Sequence, residues 1–311
     1  LYIDGKGNIL LQDKNDILSY SIDNKNDILD FETLLKIDDN LLRIDFLNYE
    51  KNESLIKLEG SRNKKNEIFI KTFSVNEKEN EIVAEDLSFN KKFEIIKLEN
   101  IHLNYIDKEN QKNQLKIRGL KNKYILTGSS FNANKIIDKL LSDDKKSNFF
   151  NIDNKIEINI KRVLLDSEYY LSDFNGEIFF INKEIVKANL DGNFSDKKNL
   201  KFTINTENNS KNTTLYVDKA EPLVRKYKFI KGFEEGILDF YSTKKEGESL
   251  STLKIYDFKL KELPVLTKLL TLASLQGIAD IFTGEGIRFN EFEMNFRNKG
   301  NLMTIDEIYA I

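Results

Sequence analysis

Short runs of alternating apolar and polar residues recur along almost the whole chain. In "LKFTINT", Leu200, Phe202 and Ile204 fall on one side of an extended backbone, and the polar residues between them fall on the other. A period of two is typical of a half-buried strand. The runs are separated by short turns such as "RNKKNE", so successive strands are expected to pair as neighbours. The sequence therefore predicts a mainly β fold: a long, curled antiparallel sheet, or β-groove, with a few short helices.

The composition of the chain argues against a nucleic-acid partner and against sites that need cysteine. Apolar residues make up 40% of the 311 residues and charged residues 32%, which is enough apolar material to fold. The net charge is -3 and the basic residues are scattered among acidic ones, so a nucleic-acid partner is not expected. The chain has no cysteine, which excludes disulfides and cysteine-ligated metal.

Three segments interrupt the strand pattern with helical character. "FNANKIIDKLLSDD" begins at an Asn cap, Asn132 or Asn134, and "DKAEPLVRKYKF" predicts a short amphipathic turn. Residues 263–282 are nearly uncharged, with Pro264 in the first turn. Polar residues within this stretch make it a poor membrane span, because a span needs about 20 consecutive apolar residues. It is interpreted as a helix on the sheet, either buried or lying across the end of an apolar groove.

Residues suited to catalysis or metal binding are sparse. His102 is the only histidine and stands opposite the apolar side of a strand, where a solvated role is expected. The glycines of "GKGN" and "TGEG" lack the context of a phosphate-binding loop and read as turn residues. No nucleophile elbow or calcium loop is present. We therefore expect no catalytic residues, no metal site, no cofactor and no enzymatic activity.

The sequence predicts that the chain has two parts, and that the alternation of apolar side chains shifts within one strand. Residues 1–131 are predicted to form a meander within an elongated groove, and residues 132–311 a second part with capping helices; the first residue, Leu1, suggests a fragment of a longer protein. In "STLKIYDFKL", alternation puts Leu253 and Ile255 on one side but Tyr256, Phe258 and Leu260 on the other, so a bulge or two-sided burial is expected there.

The C-terminal part resembles a known family. "LSTLKIYDFKLKELPVLTKLLTLASLQGIADIFTGEGIRFNEFEMNFRNKGNLMTIDEIYA" resembles the C-terminal region of AsmA-like proteins, the YhdP-type branch. "VDKAEPLVRKYKFIKGFEEGILDFYS" is similar to the segment before it, although Lys228 replaces a usual Gly and Glu235-Gly236 replaces a Gly pair. The match is specific over roughly residues 172–311 and weak before about residue 120.

The resemblance implies a periplasmic protein held in the inner membrane by an N-terminal anchor outside this sequence. It further implies an apolar β-groove that moves phospholipid between the inner and outer membranes during outer-membrane biogenesis, with acyl chains as the ligand. The candidate groove residues are Leu200, Phe202, Ile204, Tyr256, Phe258, Leu260, Leu266, Leu270 and Phe289.

Two other functions stay open from the sequence. The first is a structural or adhesive β protein of the envelope whose apolar face is fully buried, without lipid transfer. The second is an enzyme acting on envelope glycans through two carboxylates that face each other across the groove. The sequence gives no pair of carboxylates that would favour the second alternative.

Overall fold

A computed structural model describes residues 1–12, 14–141, 154–182, 184–194, 197–226, 232–261, 286–300 and 302–311. The chain divides into two compact units, Leu1–Ser167 (unit 1) and Glu168–Ile311 (unit 2). The prediction of a mainly β fold with a long sheet and a few short helices is confirmed, although the sheet is mixed rather than purely antiparallel. Among the described residues, no helix is long and apolar enough to cross a membrane.

Unit 1 is built from thirteen described strands and one short helix. Their bounds are β1 Tyr2–Leu11, β2 Lys14–Lys25, β3 Ile28–Ile37, β4 Leu42–Ile44, β5 Tyr49–Lys51, β6 Ser54–Arg62, β7 Ile68–Glu77, β8 Asn80–Phe89, β9 Ile95–Lys97, β10 Asn100–Ile106, β11 Lys112–Leu120, β12 Lys123–Asn132, α1 Asn134–Leu141 and β13 Lys155–Leu164.

The strands of unit 1 pair mostly in chain order. The first antiparallel ladder runs in the order β1, β2, β3, β6, β7 and β8. Strand β8 then pairs with both β9 and β10. From β10 the antiparallel ladder continues through β11 to β12. β12 and β13 are parallel, which requires the crossover that α1 begins. β4 and β5 form a separate two-stranded ladder, joined by a 3-10 turn at Asp45–Leu47.

Unit 2 contains eight described strands and one helical turn. Their bounds are β14 Tyr170–Ile181, β15 Glu184–Asn193, β16 Asn199–Glu207, β17 Ser210–Val217, α2 Glu221–Val224, β18 Phe233–Lys245, β19 Glu248–Leu260, β20 Ile287–Lys299 and β21 Leu302–Ala310. Every strand from β14 to β21 pairs antiparallel with the next along the chain, so unit 2 is an uninterrupted meander as predicted.

Both described helices lie where the sequence predicted helical character. The side chain of Asn132 accepts a hydrogen bond from the backbone N–H of Asn134 at 3.1 Å, so Asn132 serves as the cap of α1. Pro222 stands in the first turn of α2. The third predicted helix, at residues 263–282, lies outside the described residues, as do the candidates Leu266 and Leu270.

The boundary between the units differs from the predicted division at residues 131 and 132. The observed boundary falls between Ser167 and Glu168. The cause is the parallel pairing of β12 with β13, which ties residues 155–164 to the sheet of unit 1. Alternation and turn residues predict antiparallel neighbours well. They do not show whether a strand that follows a helix returns to the same sheet as a parallel neighbour or begins a new unit.

Candidate functional site

In each unit, the register places apolar residues on one face of the sheet and polar residues on the other. We call these surfaces the apolar face and the polar face. Along β16, Leu200 and Ile204 are each 7% exposed, whereas the intervening Lys201 is exposed. This one-sided arrangement follows directly from the period of two in the sequence.

In unit 2, the apolar face carries an uninterrupted apolar row across seven strands, with one residue directly opposite the next. We call it the central row of unit 2: Leu190, Phe202, Leu215, Phe240, Leu253, Met294 and Ile308. Every member is partly exposed rather than buried. An apolar row that keeps access to solvent can still gain free energy by contacting an apolar ligand.

Unit 1 carries an equivalent row, which we call the central row of unit 1: Leu58, Phe73, Ala84, Ile101, Ile117, Leu126 and Ile158. Each residue again lies opposite the next on seven neighbouring strands, and each is partly exposed. Six strand spacings of about 4.8 Å give the row a length of roughly 29 Å. That length is about twice the depth of one leaflet of a bilayer core, so the row is long enough for an acyl chain.

On one side of the central row of unit 1, the apolar face is covered by residues 38–53, which we call the covering segment. The Tyr105 hydroxyl donates a hydrogen bond to the Leu47 carbonyl at 2.9 Å, and the rings of Tyr49 and Tyr105 meet edge to face at 5.7 Å. The two rings are 2% and 1% exposed. Burial raises the pKa of the Tyr105 hydroxyl, so the group stays a neutral donor.

A buried polar cluster holds the strand ends beside the covering segment. Asp107 is 1% exposed and its carboxylate accepts hydrogen bonds from the backbone N–H groups of Glu109 and Gln111, both at 2.9 Å. The side-chain amides of Asn113 and Asn132 also donate to it, at 3.2 and 2.8 Å. A buried carboxylate with four donors is well satisfied, so this cluster has a structural role.

On one side of the central row of unit 2, the apolar face is covered by α2 and a stack of three phenylalanines. The ring centroids of Phe233 and Phe258 are 5.3 Å apart, and those of Phe258 and Phe289 are 5.1 Å apart. Gly236 has φ 82°, and a Cβ at this position would lie 3.0 Å from Phe258 Cβ and 3.4 Å from Ala220 Cβ. Only glycine therefore allows this close approach of α2 to the stack.

The polar face of unit 2 is neutralised by ion pairs and hydrogen bonds. Lys254 Nζ lies 2.6 Å from Glu293 Oε2, and the Tyr309 hydroxyl and the Asn295 amide donate to the same carboxylate at 2.8 and 3.0 Å. The bonds from Lys254, Tyr309 and Asn295 lower the pKa of Glu293 to about 2. Donors that are already paired across the strands leave little capacity for a ligand on this side.

Two depressions open on the polar face of unit 1. The larger, of about 630 Å³, is lined by residues that include Glu85, His102, Lys116 and Arg118; the smaller, of about 290 Å³, is lined by residues of β2, β3, β6 and β7. Their linings mix charges of both signs on open strand surfaces. The larger depression also touches Ile101 and Ile117 of the central row of unit 1, but its charged lining residues lie on the polar face. Among the described residues, no group of three or more His, Asp or Glu side chains is placed to hold a metal ion.

The seven candidate groove residues that the structure describes fall into three groups. Leu200, Phe202 and Ile204 lie on the apolar face, and Phe202 belongs to the central row. Phe258, Leu260 and Phe289 are 2%, 1% and 2% exposed, so they pack inside unit 2 rather than line an accessible surface.

The third group is Tyr256, which lies on the side opposite to Ile255 as the sequence predicted, and therefore on the polar face rather than with the apolar row. Tyr256 pairs with Ile237 and Glu291, on the face opposite to its buried neighbour Ile255. The prediction placed Tyr256 with Phe258 and Leu260. Asp257 adopts φ 51°, in the left-handed region, and this irregularity breaks the alternation between Tyr256 and Phe258.

Comparisons with known proteins add no assignment. No family model, no curated protein and no solved structure matches the chain. The fold and the two central rows define a mainly β protein with a one-sided, partly exposed apolar surface in each unit.

Proposed function

We propose that the chain binds phospholipid acyl chains along its central rows and serves lipid transport between the inner and outer membranes. The observation that carries this proposal is the row of seven directly opposed apolar residues in each unit, none of them fully buried. Five members of the row in unit 1 also pack against the buried cluster of Ile70, Leu87 and Leu98, and each keeps part of its surface accessible to a ligand: Leu58, Phe73, Ala84, Ile101 and Ile117.

The expected free energies of lipid binding and of lipid sliding along a row are both suited to transport. Each methylene removed from water contributes about 0.8 kcal/mol, so a two-chain lipid is held firmly. Neighbouring positions along a row are all apolar, so a lipid that shifts by one strand exchanges one set of contacts for a similar set. Binding is then strong while the barrier to sliding stays low. This mechanism is passive and includes no covalent step, so the proposal is of a binding protein rather than an enzyme.

The cellular setting of this proposal rests on the resemblance to AsmA-like proteins. It places the protein in the periplasm, anchored in the inner membrane through a segment outside this sequence. The polar faces, with paired charges such as Lys254 and Glu293, are compatible with an aqueous compartment.

The experiment is extraction of lipid from protein purified from a membrane-containing bacterial host, combined with native mass spectrometry. We expect bound phospholipid, and we expect Phe202→Asp to reduce it because Phe202 belongs to the central row. Thr203→Asp, on the polar face of the same strand, is the control. Protein that carries no lipid and takes up no fluorescent lipid would favour the structural alternative.

A further inference from the structure

The apolar face of unit 2 changes character in steps along its strands. Beyond the central row lies a row that we call the hydroxyl row after three of its members: Thr213, Ser242 and Ser251 are directly opposite one another on β17, β18 and β19. Buried apolar residues, Ile204 and Phe296, continue this row on β16 and β20. Beyond these lies a polar row at the strand ends, which we call the rim row: Thr206, Lys211, Lys244, Ser249 and Asn298. The order is apolar, then hydroxyl, then cationic.

The rim row brings two lysines together on the apolar face. Lys211 and Lys244 are directly opposite one another in the β17–β18 pair, and neither forms an ion pair with a described residue. Like charges that lie directly opposite across two strands are unfavourable. Burial lowers the pKa of Lys211, and Lys244 lowers it further, although Glu184 acts in the opposite sense. An anion between the two ammonium groups would relieve this repulsion.

The spacing matches an amphiphile with a phosphate group. Leu215 of the central row and Lys211 of the rim row are four residues apart on β17, which corresponds to about 13 Å in a strand. The hydroxyl row lies halfway, and its Ser242 and Ser251 oxygens are 2.9 Å apart. Ser251 is buried, whereas Thr213 and Ser242 are partly exposed, so acyl chains, ester groups and phosphate would meet the central row, these two hydroxyls and the lysines in turn.

We propose that the rim row of unit 2 binds the phosphate of an anionic phospholipid whose acyl chains lie on the central row. This inference rests on the proposed function and adds a preference for net negative head groups. Ammonium–phosphate contacts are charge-assisted hydrogen bonds. We therefore expect binding of anionic phospholipid to be about tenfold tighter than that of zwitterionic phospholipid at low salt.

The test measures binding of fluorescent phosphatidylglycerol and phosphatidylcholine to the full chain and to the double variant Lys211→Gln/Lys244→Gln. We expect the variant to lose the preference, because its affinity for phosphatidylglycerol should fall further than its affinity for phosphatidylcholine, whose choline cation already weakens the contact between its phosphate and the lysines. The matched control is Lys201→Gln/Lys245→Gln, which also removes two lysine charges, but from the polar face of β16 and β18. This control should keep the preference. A separate arm adds inorganic phosphate as a soluble competitor.

The outcomes separate the two proposals. Equal binding of both lipids by the unmodified chain, or an unchanged preference in the Lys211→Gln/Lys244→Gln variant, overturns the head-group inference and leaves lipid binding intact. Binding of neither lipid overturns both. Displacement of phosphatidylglycerol by low concentrations of inorganic phosphate would show a simple anion site that does not need the acyl chains, and this also overturns the inference.

Discussion

Replacement of Phe240 by Asp is the sharpest single perturbation of the central row of unit 2. Phe240 lies directly between Leu215 and Leu253 on the neighbouring strands and is partly exposed. An acyl chain that crosses β18 would lose its contact with the ring over about one strand spacing of 4.8 Å. If about three methylenes lose that contact, the loss is about 2 to 3 kcal/mol. This corresponds to a dissociation constant weaker by about 30-fold to 150-fold.

The assay is equilibrium binding of a fluorescent phospholipid, with circular dichroism to verify the fold. Tyr241→Asp is the matched control, because it makes the same kind of change at the next residue, on the polar face, where Tyr241 is 49% exposed. The control should bind lipid within about twofold of the unmodified protein. Equal loss in both variants, or a loss below about threefold in a folded Phe240→Asp protein, would refute the assignment of the central row.

Two further predictions concern stability. Phe258→Ala should cost about 3 to 5 kcal/mol in denaturant unfolding because it empties the middle of the phenylalanine stack, whereas Tyr256→Ala on the polar face should cost far less; similar losses would contradict the observed faces. The lowered pKa of Glu293 contributes stability that is present above pH 4.5 and is lost as the pH falls toward about 2. Glu293→Gln should therefore flatten the dependence of the melting temperature on pH in that window, and an unchanged pH profile would argue against the bonds from Lys254 and Tyr309.

Much of the fold could be predicted because strands leave a direct trace in the sequence. The alternation of Leu200, Phe202 and Ile204 gave the correct side for all three, and turn residues gave the neighbour pairing throughout unit 2. Local patterns report on local geometry. They succeed wherever the backbone stays regular and one face is apolar.

The errors arose where the backbone departs from that regularity. Asp257 takes a left-handed conformation, which agrees with the bulge expected in this strand, but alternation alone groups Tyr256 with Phe258, and the bulge separates them. The burial of Phe258 depends on α2, which approaches from a distant part of the sequence through the space left by Gly236. The covering segment of unit 1 was missed for a similar reason, because its contact with Tyr105 is long-range.

The rim row could not be predicted from the sequence either. Lys211 and Lys244 are 33 residues apart and belong to a chain with 48 basic residues, so nothing in the sequence singles them out. Their meeting follows from the register of β17 with β18, which places Lys211 opposite Lys244. A one-residue slip would have put either lysine on the polar face.

The most direct test of the account is photo-crosslinking with a phospholipid that carries a diazirine in its acyl chain, followed by mass spectrometric mapping of the adducts. The account predicts adducts concentrated at central-row positions such as Phe73 and Ile117 in unit 1 and Phe202 and Phe240 in unit 2. Adducts spread over the polar faces, or no adducts in a folded protein, would contradict the claim that these rows carry acyl chains.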